Sequence, residues 1–299
     1  SGLRRWEKFI MRQRGTDDFR EEADDDLDIL QQIRQYLQNN FGIMYPDKKL
    51  YSLRKKLNRR LRELPSVKDL ASYRSYLEEN PDEIPYFLDE ISTNKTAFFR
   101  ERKHWDFLAE EVLPCWQRGA SPVKAWTAAC STGEEPYSLA MLLDDHLARN
   151  EDGPGRPFKI LASDLSRNAL KRTKEGVYEK DRVEQVVDYK TRYVREYFDT
   201  AGDRYAVKSR IKDKITLRYF NLTKDSYPFH DDFDLILCRN VLIYFDDGLI
   251  ERIVNHLAKS LKSGGYLFVG HTESLHDISH SLERIQPAIF RKSGPRNGH

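Results

Sequence analysis

Residues Lys124 to Ala140, KAWTAACSTGEEPYSLA, pass from a short apolar stretch through the small-residue turn Ser131-Thr132-Gly133 into a helix-forming segment that opens with Glu134 and Glu135. A strand, a tight turn and a helix in that order put the turn at the carboxyl end of a strand, where open α/β sheets bind ligands. Backbone N–H groups at a helix start attract anions, but two adjacent acids there would repel a pyrophosphate. The turn has a single glycine, so neither the G-x-G-x-x-G fingerprint nor a P-loop is present. A cationic nucleoside without phosphates fits better, and S-adenosylmethionine, with its sulfonium and ammonium, is the obvious one. The same two acids could equally complement the helix dipole.

Three further strand ends carry polar residues of suitable type. Asp164 closes the apolar run FKILASD, where nucleoside-binding sheets place a carboxylate for ribose hydroxyls, although an acid there can also cap a helix. Asn221-Leu222 follows ITLRYF, and Arg239-Asn240-Val241 follows FDLILC. Four strand ends converging on one edge are a stronger signal than any one of them.

The elements needed to hold these residues are legible in outline. Candidate strands are Val123 to Ala129, Phe158 to Ser163, Ile215 to Phe220, Phe233 to Cys238, Tyr266 to Gly270 and Ala288 to Lys292. Between some of them lie helices: Glu134 to Arg149, Ser166 to Glu175 with Ser166 as N-cap and Gly176 past its end, and Asp247 to Leu261 stopped by Gly264-Gly265. This alternation predicts a doubly wound α/β domain. Upstream, from about Asp25 to Glu90, the periodicity is helical and is punctuated by Pro46, Pro65, Pro81 and Pro85. From Gly176 to Lys214 an insertion rich in Tyr, Arg and Glu breaks the alternation; its later part, with a turn at Thr200 to Asp203 and a strand from Tyr205 to Ile211, reads as a hairpin. The predicted boundaries are a charged extension 1–26, a helical domain 27–90, a linker and linking helix 91–118, an α/β domain 119–293 with its β-subdomain near 176–214, and a tail 294–299.

Composition narrows the function class. The chain has 299 residues, with 50 Lys and Arg against 48 Asp and Glu, so it is not a bulk polycation. Hydrophobic residues at 39% and aromatics at 12% can build a core. No apolar run approaches the ~20 residues of a membrane span, and no signal peptide is visible. Cys115, Cys130 and Cys238 lack both disulfide and zinc-ligand patterning, so a cytoplasmic protein without a metal is expected. The near-neutral charge is segregated: eight acids lie between Asp17 and Asp28, and eight bases with no acid between Lys48 and Arg62. On a helix, Leu50, Leu53, Leu57, Leu61 and Leu64 form one stripe, with Lys48, Lys55, Arg59 and Arg62 opposite. The cations are either a solvated face or a docking face for an acidic partner. Nucleic acid is disfavoured, because the patch lacks interleaved aromatics and no Asn/Asp-Pro-Pro-aromatic tetrapeptide occurs.

The runs STNKTAFFRE, ACSTGEEPYSLAM, LASDLS, FDLILCRNVLIYFD and LKSGGYLFVGHTES resemble those of the bacterial CheR-type chemotaxis receptor methyltransferases, S-adenosylmethionine-dependent protein-glutamate O-methyltransferases. The likeness extends from about Leu27 to Lys292. It implies a Rossmann-like methyltransferase domain with a small antiparallel β-subdomain, behind an all-helical domain. It further implies cofactor contacts from Asn94, Thr96, Arg100, Glu135, Asp164, Asn221, Leu222, Asn240 and Val241, with Arg100 and Tyr244 nearest the transferred methyl. The implied acceptor is a glutamate on a chemoreceptor's cytoplasmic helical bundle, docked on Lys48, Lys55, Lys56, Arg59 and Arg62, and the product is S-adenosylhomocysteine. No membrane insertion is expected, and the protein is expected to be a monomer. Relatives that tether to a receptor tail peptide have a longer hairpin loop than Asp199 to Arg204, which points to tether-independent action. A CheR-like enzyme for another protein carboxylate, or a silent cofactor-binding module, are the alternatives. A carboxylate acceptor is already ionised near neutral pH (about 4.3 unperturbed), so no general base is required and His271 is read as structural.

Overall fold

A computed structural model describes residues 18–92, 95–117, 119, 121–147, 149–150 and 153–294. They form two compact units that divide in sequence between Ser92 and Thr93. The tail past Gly294 and most of the predicted extension lie outside the described residues.

The first unit is helical: α1 Asp18–Phe41, α2 Leu50–Leu61, α3 Leu70–Glu79 and α4 Ile84–Ile91, with 3-10 turns at Asp47–Lys49 and Pro81–Glu83. Helix α1 starts upstream of Leu27, so part of the acid run is helical. Its prolines sit where a missing N–H costs nothing: Pro81 opens a 3-10 turn, and Pro85 lies in the first turn of α4. Asp69 and Ser72 form a capping box at α3, with Ser72 N donating to Asp69 Oδ1 at 2.7 Å. Leu50, Leu53 and Leu57 are buried as their spacing predicts, whereas α2 ends at Leu61 and Leu64 lies beyond it. One buried charge, Glu83, is fully engaged: Arg60 grips both its oxygens at 2.8 Å and the Tyr73 hydroxyl donates at 2.8 Å.

The second unit opens with α5 Arg102–Phe107, a π turn Leu108–Val112 and α6 Leu113–Trp116. There follow β1 Val123–Ala128, α7 Glu134–Leu147, the short pair β2 Arg149–Asn150 and β3 Gly153–Pro154, β4 Phe158–Asp164 and α8 Arg167–Glu175. The insertion comprises β5 Val177–Glu179, α9 Lys180–Lys190, α10 Arg192–Tyr197, β6 Phe198–Ala201, β7 Arg204–Val207 and α11 Ser209–Lys212. The chain ends with β8 Ile215–Tyr219, β9 Phe233–Cys238, α12 Asp247–Ser260, β10 Leu261–Val269, β11 Leu282–Gln286 and β12 Ile289–Lys292.

Seven strands make one sheet in the order β11-β12-β10-β9-β1-β4-β8. The five from β8 to β10 are parallel, and β12 and β11 are antiparallel. From β1 the chain moves outward to β4 and β8, then returns to β9 on the other side, so the topological switch point flanks β1. Alternation along the central strands feeds two cores: Ala125, Leu235 and Leu237 face one, Trp126, Ile236 and Cys238 the other. The inserted strands form a separate antiparallel sheet, β5-β7-β6.

Two sequence-based expectations need correcting, and one strand went unforeseen. Gly264-Gly265 does not stop α12, which ends at Ser260; both glycines lie inside β10, where Gly264 has φ +79° and a Cβ on Gly265 would come within 3.0 Å of the Phe233 carbonyl. The hairpin's second strand ends at Val207, and Ser209–Lys212 is helical. Strand β11 was not predicted: of its residues only Leu282 is buried, so an edge strand reads as a polar loop.

Candidate active site

At the carboxyl edge of the sheet the backbone itself is unusual. Of the seven described non-glycine residues with positive φ, Phe99, Glu101, Ala129, Ser131 and Asn240 belong to the linker and the loops after β1 and β9. Left-handed conformations at such residues persist only where the surroundings over-determine them, and they gather at functional sites. Gly133, at φ +99°, is required sterically as well, since a Cβ would lie 2.7 Å from the Tyr178 hydroxyl.

Part of this edge is held by Arg239, whose side chain is only 1% exposed. It donates to Glu135 Oε2 at 2.9 Å, to Glu101 Oε2 at 3.0 Å and to the Arg100 carbonyl, and its guanidinium lies 5.5 Å from the Trp105 ring. One buried cation therefore joins the linker, the helix after β1 and the end of β9. Burial opposes ionisation of Glu101, but the Arg239 charge and the hydrogen bonds from Asn240 (3.0 Å) and Arg239 override it and hold the carboxyl at about 2. Burial pushes the Glu135 carboxyl up, and Arg239 opposes that rise. Beneath them His104 is buried with neither ring nitrogen hydrogen-bonded among the described residues; burial first, then the Arg239 and His271 charges, press its imidazole down to about 3. The ligand atoms of Glu101, His104 and His271 lie within 4.8 Å of one another. The Glu101 lone pairs are nevertheless taken by Arg239, Asn240 and the His271 amide, so Arg239 already fills the role of the cation.

A second buried carboxylate fixes the loop after β9. Glu273 accepts from the backbone N–H of Gly270, of Asn240 at 2.9 Å, of Leu242 at 2.7 Å and of Ile243 at 3.3 Å. This clamp sets Asn240 in its left-handed conformation and launches the 3-10 turn Leu242–Tyr244. Burial raises the Glu273 carboxyl, and the four N–H donors act against that rise.

The residues anticipated as cofactor contacts are placed as follows. Asp164 sits at the end of β4 and is half-buried; its carboxylate accepts from Ser166 N and Ser131 N, both at 2.8 Å, so it ties the β1 loop to the next strand. The N-cap of α8 is Ser166, not Asp164, through Ala169 N at 2.9 Å. Asn221 Oδ1 accepts from the Thr223 amide and hydroxyl at 2.9 Å, and the neighbouring Leu222 is buried. Val241 and Tyr244 lie half-buried on the clamped loop. Arg100 Nη1 donates to the Lys95 carbonyl at 2.8 Å, and its charge joins that of Arg239 in opposing the burial-driven rise of the Glu135 carboxyl. Thr96 is on the same segment; Asn94 lies outside the described residues. An adenosyl cofactor with a cationic end suits this edge: Glu135 and Asp164 flank the β1 loop, where the buried Ser131 hydroxyl has no hydrogen-bond partner among the described residues.

Comparison with known proteins decides the family. Residues 94–290 match the CheR methyltransferase SAM binding domain, and residues 28–92 match the CheR methyltransferase all-alpha domain. The chain belongs to the CheR methyltransferase family. It is 35% identical over 274 residues to the chemotaxis protein methyltransferase of Borreliella burgdorferi, covering 89% of this chain and 94% of that protein. It is 33% identical to chemotaxis protein methyltransferase 2 of Pseudomonas aeruginosa, covering 87% and 91%. The protein is thus an S-adenosylmethionine-dependent methyltransferase of chemotaxis. No described helix is long and apolar enough to cross a membrane.

In this CheR-family chain the basic run on the helical unit is divided by its contacts. Lys48, Lys55 and Arg62 are exposed. Lys56 turns inward, donating to the Ile91 and Ser92 carbonyls at 2.8 and 3.1 Å, where burial lowers its ammonium; it caps α4 rather than facing solvent. Arg59 pairs with Glu90 at 2.7 Å but stays largely exposed. Sequence reasoning placed Arg239 at a strand end of the right type but gave it no role, and it missed Glu273. The Arg239 signal was present, a cation between an apolar strand and Asn240; Glu273 had none, because its partners are backbone amides.

Proposed function

We propose that this chain methylates glutamate side chains in the cytoplasmic helices of chemotaxis receptors, forming methyl esters. The cofactor supplies an electrophilic methyl group on a sulfonium that departs as a neutral thioether. A glutamate carboxylate needs no deprotonation before it accepts that methyl. The observation that carries this reading is the match of residues 28–92 and 94–290 to the two CheR methyltransferase domains, together with relatives named chemotaxis protein methyltransferase over most of the chain. Catalysis then rests on alignment. Arg100 orients the reacting groups, and Tyr244 bounds the site from the clamped loop. Asn94, Thr96, Glu135, Asp164, Asn221, Leu222, Asn240 and Val241 hold the cofactor. Lys48, Lys55, Arg59 and Arg62 attract the acidic receptor helices.

The short hairpin supports action without a peptide tether. Ala201 pairs with Arg204, leaving only Gly202 and Asp203 in the turn. Incubation of receptor-containing membranes with tritiated cofactor should give label released as methanol by mild base, at equal rates with receptors lacking their C-terminal peptide. Base-stable label would exclude a carboxyl ester, and a rate that collapses on truncation would exclude tether independence.

A further inference from the structure

The geometry points to helix α9 of the insertion as a latch that positions the Arg100 segment, with Arg182 and Gln185 as positioning residues for the cofactor site. Residues 95–101 are neither helix nor strand, so their placement must come from neighbours. Helix α9 supplies it along its length. Arg182 Nη1 donates to the Thr96 carbonyl at 2.9 Å, and Gln185 Oε1 accepts from the Phe98 amide at 3.1 Å. Arg102 Nη1 donates to the Asp188 carbonyl at 3.1 Å. The Tyr189 ring stacks on Phe99 with centroids 4.0 Å apart and planes 5° apart, and the Arg102 guanidinium lies 5.3 Å from the same ring. On the other side, the Phe99 amide donates to Ser138 Oγ of α7 at 3.0 Å.

Arg182 does more than hold one carbonyl. The same Nη1 lies 3.6 Å from Glu134 Oε1, and Glu134 is a buried acid whose other oxygen accepts from Thr132 Oγ1 at 2.6 Å. A single guanidinium thus ties the Arg100 segment to the turn after β1. Phe99 and Glu101, at φ +51° and +61°, are the residues that would relax if the latch opened. Relaxation would draw Thr96 and Arg100 away from the edge where the strand ends converge. In this chain the insertion therefore completes the cofactor site, whatever else its small sheet binds.

The inference rests on the cofactor site described above and not on the identity of the acceptor, so its test uses cofactor binding alone. Gln185→Leu combined with Arg182→Met should speed hydrogen exchange of the Phe98 amide and raise the dissociation constant for S-adenosylhomocysteine about tenfold, as the loss of two hydrogen bonds implies. Gln185→Glu keeps the acceptor oxygen and should stay within about twofold of the parent. Faster exchange with unchanged affinity would overturn the latch, as would weaker binding without faster exchange. A Gln185→Glu variant as impaired as the double variant would also overturn it, because the acceptor oxygen it keeps would then not be what holds the Phe98 amide. Failure of receptor methylation with this pattern intact would count against the proposed acceptor and leave the latch standing.

Discussion

Two regions of this protein use arginine in opposite ways. On α2, Lys55 and Arg59 lie at the surface, Arg59 with Glu90 as its partner, while Lys56 and Arg60 of the same helix are turned to inward partners. At the sheet edge one arginine, Arg239, is almost wholly buried between Glu101 and Glu135. A surface charge is screened and mobile, so it attracts partners at long range and contributes little to the fold. A buried charge is costly unless fully paired, and once paired it cannot move without leaving its partners exposed to the same cost. The first arrangement suits recognition and the second suits geometry.

The sharpest way to break this contrast is Arg239→Met. It strands two buried carboxylates and should lower unfolding stability by about 3–5 kcal/mol in denaturant titrations. A loss under about 1 kcal/mol would mean that Arg239 is not what holds the linker to the strand ends. On α2 and at its end, reversing Lys55, Arg59 and Arg62 to Glu should raise the KM for receptor roughly tenfold at low salt and less at high salt, with cofactor affinity unchanged. Parallel losses of both affinities would indicate misfolding and remove the distinction.

The smallest expected effect is a pH dependence at the buried site. His104 sits near 3 in the fold against an ordinary 6.5, so the unfolded chain binds more protons in between and stability falls as pH drops through that window. Glu101, held at about 2 against 4.5, loses its contribution in the same direction but at lower pH. Between pH 7 and 6 the His104 effect should be roughly 0.7 kcal/mol, and His104→Leu should abolish it. Because burial also lowers His146 and His256, a smaller residual slope is expected, and an undiminished slope would place the effect in those histidines.

Much of the α/β unit was legible because its strands are short apolar runs bounded by polar ends, and that pattern follows from burial on both faces. The cap at Ser166 and the left-handed Gly176 were visible for a similar reason: local hydrogen bonding and steric freedom are properties of neighbouring residues. Strand β11 was not, because an exposed edge imposes no apolar alternation. Lys56 looked like its neighbours on the basic run, and only the carbonyls of Ile91 and Ser92, far along the chain, turned it inward.

The sequence by itself determined the type of chemistry: acids and amides at strand ends, a glycine turn without a phosphate cradle, and motifs distinctive of one family. Tertiary structure alone decided which of these charges are spent inside the protein. Whether Glu135 faces a resident cation, or Glu273 gathers the amides of Asn240 and Leu242, depends on contacts between residues more than thirty positions apart. Residue identity specifies what a side chain can pair with. The fold decides which pairing it keeps, because burial makes every alternative more costly.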